Sequence, residues 1–185
     1  MGHKLIALGA ATAALLFAGS ASAAVSVLGE GPAAQCSSAA MAGDAKDEDL
    51  SACNMAIIQA ASVHEKAGTY VNRGVLLLRR KNFAAARADF EAAEKLEPTM
   101  GEAVVNKGAA LLAERRYIEA LTEIDRGLGL NPEEPEKAYY NRAIANEYLD
   151  DMKAAYLDYM KALELAPDWD APRHELQRFT VERPK

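Results

Sequence analysis

Three asparagines, Asn72, Asn106 and Asn141, stand at steps of 34 and 35 residues in the related stretches "YVNRG", "VVNKG" and "YYNRA". Each sits in a run that otherwise reads as helix, where asparagine is a poor choice because its amide competes with the backbone for hydrogen bonds. A side-chain amide both donates and accepts, so it can pair with one peptide unit of an extended chain whatever that chain's sequence. The chemistry this points to is recognition of a peptide backbone. The competing reading is that each amide bonds between neighbouring helices and serves structure alone.

Residues that could do catalysis are scarce and badly spaced. Of the three histidines, His3 lies at the extreme N-terminus and His64 and His174 fall far apart, so no Ser-His-Asp or Cys-His set can be assembled. The run Gly127-Leu128-Gly129 is a turn signal and not a phosphate loop. The acidic stretch "DAKDED" lacks the glycine and the distal glutamate of a calcium loop, and reads as a solvated loop leading into a helix. Two cysteines without a nearby histidine fall short of a metal's four ligands. The expectation is a protein with no catalytic residues, no metal and no cofactor.

The chain begins with Lys4, an apolar run from Leu5 to Phe17, and small residues ending at Ala21-Ser22-Ala23. That order is the pattern of a secretory signal peptide over residues 1–23 with an A-x-A cleavage site. Its apolar stretch is short for a spanning helix, and no later segment approaches 18 unbroken apolar residues. The whole chain carries a formal charge of −6. Such a modestly acidic balance gives no basic excess to hold nucleic acid. The expected product is soluble, exported and periplasmic. In that compartment an even cysteine count favours a disulfide between Cys36 and Cys53, across the polar stretch Gly43 to Asp49; two buried, inert thiols are the alternative.

The elements that must position the asparagines emerge from an internal repeat. Pro98, Pro132 and Pro167 divide the chain into units 67–100, 101–135 and 136–169. In one register these place Tyr70, Val104 and Tyr139; then Gly74, Gly108 and Ala143; then Phe90, Ile124 and Tyr159. Each unit reads as two helices joined by a tight turn, with large residues filling the gap and small ones where the helices approach. Asn82 and Asp151 suit the N-cap of the second helix, and Arg116 at the equivalent place does not. Arg73, Lys107 and Arg142 each face an acid sixteen places on, Asp89, Glu123 and Asp158, so three internal salt bridges are expected.

These units resemble tetratricopeptide repeats, helix-turn-helix units of 34 residues that carry a large residue, a Gly or Ala, an Ala, an aromatic, another Ala and a Pro in this order. The resemblance implies an all-α right-handed solenoid of three units whose first helices line a concave groove, in a family that mostly binds peptides or protein surfaces. One departure stands out: the seventh place, often Leu in the family, is Arg73, Lys107 and Arg142. The resemblance also puts Val71, Asn72 and Val75, then Val105 and Asn106, then Lys137, Tyr140, Asn141, Glu147 and Tyr148 on the groove side. Only Asn106, Lys137 and Asn141 fit the arrangement that grips a peptide C-terminus, so a full carboxylate clamp is not expected.

Around this array, residues 24–33 are punctuated by Gly and Pro and read as mobile. Residues 34–66 read as a degenerate helix pair braced by the cysteines, and 170–185 as a capping helix and tail with Leu176 and Phe179 packing on the third unit. The function read from these residues is noncatalytic binding of an extended peptide or partner protein, as a periplasmic adaptor or assembly factor. The alternatives are self-association through Tyr148 and Tyr156, or an accessory subunit of an enzyme complex.

Overall fold

The computed structural model describes residues 4–7, 22–26, 31–43 and 45–182. The greater part of the expected leader (residues 1–3 and 8–21), residues 27–30, Asp44 and the last three residues lie outside the described residues. Among the described residues nine helices and one short ribbon are found. They are α1 (Pro32–Ala42), α2 (Asp47–Gln59), α3 (Val63–Arg79), α4 (Phe83–Leu96), α5 (Gly101–Ala113), α6 (Tyr117–Leu128), α7 (Pro135–Tyr148), α8 (Met152–Leu165) and α9 (Asp170–Leu176), with strands β1 (Lys4–Ala7) and β2 (Phe179–Glu182). The fold is an all-α helical repeat, in which α3 pairs with α4, α5 with α6 and α7 with α8.

The local rules behind each pair are visible in its turn. Lys81, Arg115 and Asp150 take the left-handed conformation, with φ of 59°, 63° and 65°. The next residue's N–H then reaches back to a carbonyl five places earlier, Asn82 to Leu77, Arg116 to Leu111 and Asp151 to Asn146, each at 2.9 Å. This closes the first helix on its own orphan carbonyls. The second helix starts at once: Asn82 accepts from the Ala85 N–H at 3.4 Å and Asp151 from Ala154 at 2.9 Å, while Arg116 makes no such cap. At the start of the first pair, α3 begins four residues ahead of the expected unit boundary, because Ser62 caps Glu65 N–H at 3.0 Å.

Packing within each pair sets a small residue against a large one. A Cβ on Gly74 would meet the Phe90 ring at 2.4 Å, and one on Gly108 would meet Ile124 at 2.6 Å. Ala143 and Tyr159 share the third of these cores. Below the first pair, α1 and α2 form a hairpin joined by the Cys36–Cys53 disulfide, 17 residues apart in the chain. Closing a loop of that length stabilises a fold by about 3 kcal/mol in the chain-entropy account.

Two expectations are corrected at the ends. Phe179 does pack on Tyr156 and Tyr159, but from strand β2, because α9 stops at Leu176. The sequence "FTVE", aromatic and β-branched, suits a strand better than a last helical turn. Its partner is β1, antiparallel, with Leu5 opposite Val181 and Ile6 opposite Thr180. Residues 24–26, expected to be mobile, are instead seated on the array, for reasons developed below. The tightness at Gly74 is open to test: Gly74→Val should destabilise by about 1–3 kcal/mol through overpacking against Phe90, read as a drop in midpoint temperature by calorimetry.

Candidate functional site

On the inner side of the array the first helices α3, α5 and α7 carry Asn72, Asn106 and Asn141. Asn72 and Asn106 are sealed from solvent, at 0% exposure, so their amides must find partners within the protein. The partners belong to residues 22–26 of the same chain. Asn72 Nδ2 donates to the Val25 carbonyl at 2.8 Å and Asn72 Oδ1 accepts the Val25 N–H at 2.8 Å. Asn106 repeats the arrangement on Ala23, donating at 2.9 Å and accepting at 3.3 Å. Reversing either amide would set NH2 against N–H, so chemistry fixes its orientation.

These two clasps imitate one edge of a β-ladder. In an extended chain both backbone groups of residue i point to the same side as those of residue i+2, about 6.6–6.8 Å further along. One asparagine per repeat therefore reads one residue in two. The segment runs against the order of the repeats: Ser22 lies toward the third, where its carbonyl accepts from Lys137 Nζ at 3.1 Å, and Val25 lies over the first. Ser37 Oγ of α1 adds a second bond to the Val25 carbonyl at 2.9 Å.

Of the other expected groove residues, some line this path and others do not. Val71 and Val75 are fully buried in the cluster that also receives Ala24 and Val25. Val105 instead abuts Gly127 of α6, where an added Cβ would fall 2.6 Å from its Cγ2, so it belongs to the inside of its own repeat. Tyr140 packs between Tyr159, at 5.5 Å between centroids, and Trp169, at 4.8 Å; burial pushes its hydroxyl up to about 12. Tyr148 stacks on Tyr117 at 4.4 Å. Glu147 is buried beneath Arg178, which donates two bonds of 2.7 Å, and beside the Tyr159 hydroxyl at 3.1 Å. For Tyr140 and Glu147 the reason is that the segment from Trp169 to β2 closes over α7 and recruits its side chains into a terminal core, whereas Tyr148 is held by Tyr117 of α6.

The three expected salt bridges are present. Arg73 and Arg142 each grip their acid with two bonds, of 2.7 and 2.6 Å to Asp89 and of 2.8 and 2.7 Å to Asp158, and Lys107 meets Glu123 at 3.0 Å. Asp89 and Asp158 are more buried than a surface pair would be, with side chains 8% and 9% exposed. The hydrogen bonds that Arg73 donates to Asp89 raise its pKa above the ordinary value, against the opposing pull of burial. Each cation also reaches back to the preceding helix, Arg73 to Asn54, Lys107 to Glu94 and Arg142 to Asp125. Spacing within one unit could not reveal these second contacts, because they cross from one repeat to the next. They commit the cations to the scaffold.

Among the described residues no cluster of three or more metal-ligating side chains occurs, and no helix is long and apolar enough to cross a membrane. Against known proteins, residues 67–100 and 136–168 match the sequence model of the tetratricopeptide repeat. The matched stretches coincide with the first and third units, and the second folds in the same way. The chain therefore carries tetratricopeptide repeats. No curated protein matches it significantly. Solved structures with the same fold include the TPR domain of Arabidopsis OM64, at 23% identity and TM-score 0.58, covering 63% of this chain and 96% of that one. The second TPR domain of human RPAP3, determined with an HSP70 peptide, aligns at 20% identity and TM-score 0.56 over 63% and 97%. MamA from Desulfovibrio magneticus aligns at 19% and 0.59 over 81% and 84%.

Two measurements test the charged scaffold. A double-mutant cycle on Arg73 and Asp89 should give a coupling energy of about 1–3 kcal/mol, above that of an exposed pair. Glu94 joins Lys107 of α5 and Arg126 of α6; burial alone would raise its pKa, but hydrogen bonds from Arg126 and Lys107 hold it below the usual 4.5. A carboxylate lowered in the folded state contributes stability above its unfolded pKa and loses it as pH falls through the folded one. Thermal midpoints followed downward from about pH 5 should fall less steeply in Glu94→Gln than in the parent.

Proposed function

We propose that this chain is an exported, noncatalytic adaptor that binds an extended segment of a partner protein in the groove formed by α3, α5 and α7. The observation that carries this reading is the pair of amide clasps on Val25 and Ala23. They pair the NH2 and the carbonyl of each of two buried asparagines with backbone groups alone, which is how a surface recognises an extended chain without depending on its side chains. Structural relatives of the same fold have been determined with bound peptides, which supports a protein-interaction module.

Export is supported by the leader-like start of the sequence and by the Cys36–Cys53 bond, which persists in oxidising compartments. Cleavage between Ala23 and Ala24 would take Ser22 and Ala23 away from Lys137 and Asn106 and leave Val25 on Asn72. The half of the groove over the second and third repeats would then be open to a partner.

The test is affinity capture from envelope extract with the parent chain and with Asn72→Ala, Asn106→Ala and Asn141→Ala combined. A clasp lost from the partner removes two backbone hydrogen bonds, so the triple variant should bind a captured partner at least about tenfold more weakly. Circular dichroism should remain helical. Unchanged capture would end the groove reading.

A further inference from the structure

The segment seated in the groove also shows, residue by residue, which side chains the groove accepts. This deepens the peptide-binding reading above and rests on it. Every polar contact described for segment 22–26 goes to a backbone atom of the segment, from Asn72, Asn106 and Lys137 of the repeats and Ser37 of α1. Selection therefore falls to shape. Ser22 and Ala23 are 4% and 2% exposed, and Ser22 Oγ is buried with no hydrogen-bond partner. A larger side chain at either place has no solvent to escape into, and the serine hydroxyl gains nothing there. Val25 is accommodated at Gly68, where any added Cβ would fall 2.8 Å from Val25 Cγ1. Gly68 is thus the residue that makes room for a branched side chain beside the Asn72 clasp. Ala24, between the two clasped residues, is only half-buried.

We propose that the groove selects an uncharged, extended segment of the pattern small-small-x-Val, lying with its N-terminal end over the third repeat. In the uncleaved chain, residues 22–25 are a built-in copy of that pattern and compete for the site from within the molecule, until cleavage after Ala23 removes its small-small half. A tethered competitor acts at an effective concentration in the millimolar range. A partner meets an occupied groove unless the segment is displaced or removed.

The probe is a synthetic peptide matching residues 20–27, "SASAAVSV", blocked at both ends and labelled for fluorescence anisotropy. It is titrated into the full chain and into a full-length Ala23→Arg/Val25→Asp variant, whose own segment can no longer seat. The expelled variant should bind the peptide at least tenfold more tightly than the parent. Placing Leu at the peptide position matching Ala23 should lose that binding. Adding Gly68→Ala to the expelled chain should weaken the Val-containing peptide by more than it weakens one with Ala at the Val25 place. Equal affinity of parent and expelled chains, or indifference to the Leu and Gly68 changes, would overturn the inference. If those outcomes occur while partner capture still depends on the asparagines, the groove reading survives without this specificity. If peptide binding persists in an expelled chain that also carries Asn72→Ala and Asn106→Ala, the groove reading itself falls.

Discussion

A side-chain amide cut off from water must have both its donor and its acceptor filled, and this constraint governs the inner face of the array. Leaving Asn72 and Asn106 empty in a buried site would cost a few kcal/mol each. Neither can be satisfied by its own helix, whose backbone groups are already paired. The nearest supply of matched N–H and C=O groups is an extended strand, and residues 22–26 provide it. A helical repeat thereby presents, through one side chain per unit, the pairing surface of a β-strand edge.

The scaffold that holds the asparagines in line is built by repetition of near-neighbour contacts. Small residues at Gly74, Gly108 and Ala143 let the second helix of each unit close on the first, against Phe90, Ile124 and Tyr159. Left-handed turns at Lys81, Arg115 and Asp150 fix the length of each unit, so the asparagines recur at nearly constant intervals. Stacking is then reinforced by cations that hold an acid in their own unit and a polar group in the one before. In a solenoid each unit touches only its neighbours, so contacts of this kind carry register along the array. The ends are closed by different means, a disulfide at one and the Glu147–Arg178–Tyr159 network at the other.

The groove is consequently rigid in its floor and open to choice in its occupant. Lys137 meets a main-chain carbonyl of the segment at 3.1 Å, where a carboxylate-gripping groove would present its cation to a chain terminus. Arg73 and Arg142, which a simple count of charges would assign to an acidic ligand, are spent on Asp89 and Asp158. What remains for recognition is the backbone pairing and the tight space around Ser22, Ala23 and Val25.

Much of this was legible in the residues. Periodicity, prolines and small-large pairs determined three helix pairs, because the contacts they encode lie within about 30 residues and recur in one register. The caps at Asn82 and Asp151, the three salt bridges and the unusual position of the asparagines followed from the same local spacing. Only the tertiary structure decided what the asparagines hold, since Val25 and Asn72 are 47 residues apart and Ala23 and Asn106 are 83. It also set Val105 against Gly127 and Tyr148 against Tyr117, both of α6, and drew Tyr140 and Glu147 into the core at the array's far end. Local spacing specifies which face of a helix a residue shares with its neighbours in the chain. Which distant segment comes to cover that face depends on three-dimensional packing, and no repeat in the sequence records it.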